Sequence, residues 1–442
     1  MPEADFDSEA PIQPVAVETK NAPKALDNPN LRLYFAGQIV SLIGTWMQQM
    51  ALSWMVYRLT NSSYMLGVVG FASQAPTFLI TPFGGIIADR VNRKKLVLIT
   101  QTLAMIQATA LAWLSFSENP QIAHLIALGA FMGLINAIDL PTRQTFLVDM
   151  LSSREGLPNA IAVNSSIVTL TRLIGPALAG IFIAWAGERM CFVANAVSYV
   201  AVIIALIFVK AKQKDFVGVR PNAILQLKEG FQYAFSFGPI RALLVMIAAV
   251  SLFCMPYSVL MTAFAKDVFH GDATTLGVLT TGSGVGSLIG AVYLSSRRGV
   301  LGLGRWIVIS CLLFGAGLIG FGLTSNLWLA LPMLAVAGFG SMILMAASNT
   351  ILQTLVDEDK RGRVMSIYTM CFMGLAPFGS VVAGWLSTNM GLGKTVIASG
   401  AFAVVISLGF ATKLRKIRQE ARPVYIERGI LVAEADMKVM NS

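Results

Sequence analysis

Charge is the scarcest ingredient of this sequence. Asp, Glu, Lys and Arg make up only 13% of 442 residues, where a soluble domain carries about a quarter. Hydrophobic residues make up 55%, so lipid rather than water is the solvent of most of the chain. Histidine occurs twice, at His124 and His270, both expected at the surface. The four cysteines, Cys191, Cys254, Cys311 and Cys371, each sit inside an apolar run, with no metal-ligand spacing between them. That excludes a zinc site and a disulfide framework. No cluster of His, Glu or Cys at one depth suggests an enzyme, and no cofactor is implied. No Gly-x-x-x-x-Gly-Lys-Ser/Thr loop exists, which excludes ATP as the energy source. The string Gly282-Ser283-Gly284-Val285-Gly286-Ser287 lies within an apolar run with no strand before it, and reads as helix packing. The first 29 residues lack the basic start and apolar core of a signal peptide; a disordered cytoplasmic tail is expected there.

What is present is a series of apolar runs, each long enough to span a bilayer. They fall roughly at 33–57, 64–88, 96–116, 122–146, 160–186 and 190–209, then at 241–264, 274–295, 305–323, 327–350, 363–388 and 394–412. The expectation is an all-α membrane protein of twelve transmembrane helices. Lys and Arg distribute unevenly between alternate loops: 27 of the 33 fall on one side, only Arg58, Arg189, Lys266 and Lys394 on the other, and Arg143 and Arg172 within spans. The basic side is the cytoplasm, which places both termini inside a bacterial inner membrane. The same assignment explains the net charge of +10 without nucleic acid, for which no basic groove exists.

The long polar segment 211–240, with helical spacing at Leu225, Lys228, Phe231 and Phe235, reads as a cytoplasmic linker carrying a surface helix. It separates an N-terminal six-helix half, 31–210, from a C-terminal half, 241–413; residues 1–30 and 414–442 are tails, the latter basic. The halves look like copies. Arg143-Gln144-Thr145-Phe146-Leu147-Val148-Asp149 has its counterpart in Asn349-Thr350-Ile351-Leu352-Gln353-Thr354-Leu355-Val356-Asp357, and Gly175-Pro176 in Ala376-Pro377. Internal duplication is how many transporters build a pathway between two halves.

Between the second and third spans the chain reads Gly84-Gly85-Ile86-Ile87-Ala88-Asp89-Arg90-Val91-Asn92-Arg93-Lys94-Lys95. This resembles the loop signature of the major facilitator superfamily, with Asn92 where a turn glycine is usual; Asn tolerates a left-handed backbone. The resemblance implies a latch, in which Gly85, Asp89, Arg90, Arg93 and Lys94 hold the cytoplasmic side closed. The copy in the second half, Gly290 to Arg298, has lost its acid. In the fifth span, Gly175-Pro176-Ala177-Leu178-Ala179-Gly180 resembles the Gly-Pro signature of the superfamily's exporters. Pro176 kinks the helix, and Gly175 and Gly180 let the first or eighth span approach. With Leu157-Pro158-Asn159-Ala160 and Arg361-Gly362-Arg363-Val364, the chain from Leu31 to about Thr412 is similar to the exporter branch that includes enterobactin and macrolide efflux proteins. The resemblance implies proton-driven export of a small organic molecule, a siderophore or an amphipathic antibiotic, by a monomer. Import of a metabolite by proton symport and a transport-dead sensor are the competing readings.

Intramembrane charge is costly, ~2.5–3.5 kcal/mol at the bilayer centre, and must find a partner. Asp139 is the acid well inside a span; Arg143 lies one turn away, and Arg172 near mid-depth of the fifth span. An Asp139–Arg143 or Asp139–Arg172 pair is expected, either coupling to protons or fixed in structure. Pro141 is a point where the fourth span can end early. The first span carries an uncharged polar stripe of Gln38, Ser41, Thr45, Gln48 and Gln49, suited to a neutral or anionic ligand or to bonds with neighbouring helices. Asn136, Tyr257, Asn349 and Gln353 are further substrate candidates, with Met342 and Met345 as an adaptable wall.

Overall fold

The computed structural model describes residues 25–151, 156–210, 223–297, 299–358 and 360–431; for 82–86, 88–90, 158 and 223–228 only the backbone is described. The helices of the first half are α1 (Pro29–Thr60), α2 (Ser63–Arg90), α3 (Arg93–Phe116), α4 (Ile122–Asp149), α5 (Leu157–Ala186) and α6 (Glu188–Phe208). After the linker helix α7 (Ala223–Ser236) come α8 (Gly238–Phe253), α9 (Tyr257–Ala263), α10 (Ala273–Ser296), α11 (Leu303–Leu323) and α12 (Leu327–Leu355). The last three are α13 (Arg361–Thr369), α14 (Ala376–Met390) and α15 (Leu392–Glu427). α8 with α9 makes the seventh span and α13 with α14 the eleventh. Among the described residues eleven helical stretches are long and apolar enough to cross a membrane. The twelfth span is α1, 32 residues long, whose hydropathy is diluted by its polar stripe.

Short polar turns set the helix boundaries. Asn28, Ser62, Asn92 and Asn326 each turn a side-chain oxygen onto a free N–H of the first turn that follows, the usual device for satisfying those donors. Asn92 has φ −56°, so the left-handed turn expected of it is not formed; its role is to cap α3. Asn61 does take the left-handed conformation, with φ 45°, between α1 and α2. The bundle therefore has an Asn61 end and an Asn92 end. Trp113, Trp185 and Trp328 are all exposed near the Asn61 end, as expected of rings at a membrane interface.

α4 runs unbroken through Pro141, so the early end expected there does not occur. Two other spans are broken. Cys254–Pro256 form a turn between α8 and α9, and a π-helical turn, Phe264–Val268, follows α9. Another π turn, Met370–Gly374, separates α13 from α14, just ahead of Pro377. Proline has no N–H to continue the ladder, and wide turns absorb the mismatch. Near the chain ends, Ala25 N–H donates to Asn159 Oδ1 at 2.7 Å, and Arg428 Nη2 donates to the Val356 carbonyl at 2.8 Å. Both described termini therefore lie at the Asn92 end, and a 3-10 turn, Ala25–Asp27, lies within the expected N-terminal tail. Residues 1–24 of that tail, 211–222 of the linker and 432–442 lie outside the described residues.

The first half is built from α1 packed on α5 and α6, α2 on α4, and α3 on α4 and α6; in the second, α10 and α11 pack on α12, and α15 on α8 and α11. Two crossings join the halves, α2 on α14 and α5 on α10. Along α2, Phe71 meets Phe378 edge-on at 5.2 Å and Phe78 packs over Gly374. Gly180 shows why small residues stand at the other crossing: a Cβ there would lie 2.9 Å from the Ala273 carbonyl oxygen and 3.1 Å from Gly277 Cα. These close contacts run from the Asn61 end to mid-bundle.

Candidate functional site: a buried charge pair and a central cation

Asp139 is only 1% exposed. Burial of a carboxylate is tolerable when donors surround it, and three do. Arg143 Nε lies 2.5 Å from Oδ2. Thr100 Oγ1 and Gln101 Nε2, both from α3, donate to Oδ1 at 2.6 and 2.9 Å. Arg143 Nη1 reaches on to Gln38 Oε1 of α1 at 2.8 Å. Arg143 of the same helix, Thr100 and Gln101 of α3 and, through Arg143, Gln38 of α1 are thereby tied to one carboxylate of α4. Two buried atoms at this cluster have no partner among the described residues, Gln38 Nε2 and Gln101 Oε1. Of the two pairings open in the sequence, the structure forms Asp139–Arg143; Arg172 makes no hydrogen bond or ion pair among the described residues.

A second polar layer lies closer to the Asn61 end. Gln48 Nε2 donates to Gln107 Oε1 at 3.0 Å, and Gln48 Oε1 accepts from Asn195 Nδ2 at 2.8 Å. Gln107 in turn donates to the Leu128 carbonyl at 3.1 Å. Gln38, Ser41 and Gln48 are thus buried inside the first half, facing α3, α4 and α6. Gln49 is exposed and lies one turn from Ser53, whose hydroxyl is 2.8 Å from that of Thr262 in α9; its face of α1 looks toward the other half. Asn136 is half-buried on α4.

The centre of the bundle is marked by Arg172. It is exposed, and its neighbour Leu173 packs on Gly284 of α10, next to Ser283. Tyr257, at the start of α9, is buried, with its hydroxyl 2.9 Å from Ser283 Oγ of α10. Further toward the Asn92 end, Gln353 Nε2 donates to Asn349 Oδ1 at 2.5 Å on α12. Sequence reading passed over Gln74, which is exposed on α2 in the same stripe as Gly67, Phe71 and Phe78, all in contact with α14 or the turn before it. Its signal was present: a glutamine four and three residues from the aromatic positions of an inter-half face. Thr100, Gln101, Gln107 and Asn195 were also missed, although polar residues inside apolar runs are the expected partners of a buried charge.

At the Asn61 end the halves are held by polar contacts. Tyr57 donates its hydroxyl to Asp267 of the π turn. Lys266 Nζ donates to Asn61 Oδ1 at 2.7 Å and stands 5.5 Å above the Tyr57 ring. At the Asn92 end, Arg93 Nη1 bonds both oxygens of Asp149 at 2.8 and 3.0 Å. Lys94 Nζ donates to the carbonyls of Ile207 and Val209 at 3.0 and 2.7 Å, closing the end of α6. These bonds stay within the first half. The side chains of Asp89 and Arg90, and the surroundings of Gly85, lie outside the described residues. Gly175 packs against Trp46 of α1, where a Cβ would be 2.4 Å from that of the tryptophan; Pro176 offers its carbonyl oxygen to the Gly277 side of α10. In the second half Asp357 accepts from Tyr233 of α7 at 3.0 Å, and Arg363 pairs with Glu229 at 2.9 Å, so the linker helix is seated on α13.

Two sets of helices crossing around a polar, charge-bearing centre are the architecture of a secondary transporter of small molecules. Sequence comparison agrees: the chain belongs to the transmembrane secretion effector family (MFS_3) of the major facilitator superfamily, whose profile matches residues 21–433. It is 25% identical over 392 residues to the staphyloferrin A transporter of Staphylococcus aureus (strain NCTC 8325 / PS 47), covering 88% of this chain and 97% of that one. It is 22% identical over 402 residues to the enterobactin exporter EntS of Citrobacter koseri, covering 91% and 96%. Among solved structures, a bacterial homologue of the human lysosomal transporter Spinster superposes with a TM-score of 0.68 at 13% identity, over 89% of this chain and 98% of that one.

Proposed function

We propose that this protein exports a small organic molecule, of siderophore type, across the bacterial inner membrane by proton antiport. The observation that carries the reading is the pairing of Asp139, the most deeply buried acid among the described side chains, with Arg143, which also holds α1 through Gln38. A proton arriving on Asp139 removes the charge that holds Arg143. Arg143 is then free to leave Gln38, and the grip of α4 on α1 loosens. Alternating access follows if that grip differs between the two states of the bundle. With the basic Asn92 end in the cytoplasm, the contacts at the Asn61 end close the outer side, and the cargo enters from inside. Gly85, Asp89, Arg90, Arg93 and Lys94 act as the latch of the opposite state.

The energy scale is adequate. One pH unit is worth ~1.4 kcal/mol and 100 mV of membrane potential ~2.3 kcal/mol per charge. Their sum matches the ~3–5 kcal/mol at stake when one partner leaves a buried ion pair.

The test is uptake into inverted membrane vesicles under an imposed pH gradient, with siderophores and macrolides offered in turn. Asp139→Asn should abolish gradient-driven uptake. Because that change orphans Arg143, the double variant Asp139→Asn/Arg143→Gln is the companion. Gradient-driven uptake by either variant at the wild-type rate would remove Asp139 from the coupling.

A further inference from the structure

Arg172 occupies a defined place at the crossing of the two halves. On α5, Ser165, Thr169, Arg172, Pro176 and Gly180 form one stripe, and the outer part of that stripe is pressed onto Gly277 of α10. The next residue, Leu173, packs on Gly284. These contacts fix Arg172 at the level of Ser283, halfway along α10, where the Ser283 and Tyr257 hydroxyls are 2.9 Å apart. No described side chain neutralises the guanidinium there. Asp139 is committed to Arg143, Thr100 and Gln101. The other carboxylates among the described side chains lie at the two ends of the bundle, such as Asp267 and Asp149.

A lone guanidinium at mid-bilayer is expensive, and cations kept at that depth line pathways rather than face lipid. Its planar fork of donors matches two oxygens of a carboxylate, and the Tyr257 and Ser283 hydroxyls stand at the same level of the bundle. An anionic cargo is also helped outward by an inside-negative potential, since expelling negative charge runs with the field. We infer that Arg172, at the level of the Tyr257–Ser283 hydroxyl pair, is the anchor for an anionic oxygen group of the cargo, so that the transported molecule is an organic acid. Arg172 thereby leaves the proton-coupling group and joins the substrate site. The inference rests on the transport reading above for its physiological meaning, but not for its measurement.

The experiment is equilibrium binding of radiolabelled citrate, as a probe polycarboxylate, to the purified full-length protein without any gradient. Citrate should bind the wild type and be displaced by unlabelled citrate but not by its trimethyl ester, which has the same skeleton without charge. Arg172→Gln should weaken binding by about tenfold to a hundredfold, as expected for a lost charge-assisted bond. Arg172→Lys should restore part of it, which a merely structural role would not. With no gradient applied, loss of the anion site is read apart from loss of proton coupling. Wild type that does not bind citrate at ~10 mM, a weak-binding limit of about −3 kcal/mol, would overturn the inference. So would equal displacement by the ester, or an Arg172→Gln protein that melts and binds as the wild type does.

Discussion

Arg143 is held from two sides, by Asp139 one turn back on its own helix at 2.5 Å and by Gln38 of α1 at 2.8 Å. A change of charge on α4 is therefore a change in how two helices are joined. That geometry makes the cost of disturbing each partner unequal.

Asp139→Asn leaves a guanidinium buried without its counter-charge and should destabilise the fold by ~3–5 kcal/mol. Adding Arg143→Gln should recover most of that loss. Thermal unfolding followed with a thiol-reactive dye reads this directly, because Cys191, Cys254 and Cys311 are buried until the bundle opens. Equal melting of wild type and Asp139→Asn would mean that the pair contributes no net stability.

Gln48→Leu separates a structural glutamine from a cargo-binding one. It strands the Asn195 amide and the Gln107 oxygen, at ~1–3 kcal/mol for each group left unsatisfied. The melting midpoint should fall while affinity for cargo stays the same; a variant that keeps its midpoint but loses affinity would put Gln48 on the cargo instead. Gln49→Leu should show the opposite pattern, since Gln49 is exposed on the face toward the other half.

Gly180→Val puts a side chain where the Ala273 carbonyl oxygen would be 2.9 Å from its Cβ. The α5–α10 crossing must then open. Transport should be lost, and a cysteine introduced at Thr262, 2% exposed in the native chain, should become reactive to a membrane-impermeant thiol reagent. Unchanged reactivity would show that the crossing does not govern that end.

Tyr57→Phe removes the hydroxyl that Asp267 accepts from across the halves. A hydrogen bond to a charged group is worth ~1.5–3 kcal/mol, so the balance of states should move about tenfold or more away from the closed Asn61 end. The spin-label distance distribution across Ser53 and Thr262 should broaden to longer values. A distribution that stays put would assign closure to the helix crossings alone.

Much of the architecture was legible because lipid imposes long apolar runs and asymmetric basic loops, which need no tertiary knowledge to read. That Asp139 needs a cation was legible for the same reason, but the choice between Arg143 and Arg172 was not. Nor was the orientation of α1. Gln38, Gln48 and Gln49 lie on one polar stripe in sequence, yet the structure turns the first two into the half and leaves the third facing out, because Arg143 of α4 binds Gln38 while Gln107 of α3 and Asn195 of α6 bind Gln48. The breaks at Pro256 and before Pro377 were likewise hidden, since Pro141 sits in an unbroken helix. A proline marks where a ladder can fail, and packing against neighbours decides whether it does.

The two halves are not mechanical equals. Every helix of the first half is continuous and carries the charge pair, while the second half holds both π turns, at Phe264–Val268 and Met370–Gly374. Chemistry and flexure are thus housed apart, with Phe78 resting on Gly374 as one point where they touch. A small apolar compound wedged at that point would brace the π turn without reaching the Asp139–Arg143 pair: an obstacle to movement that leaves the charge network intact.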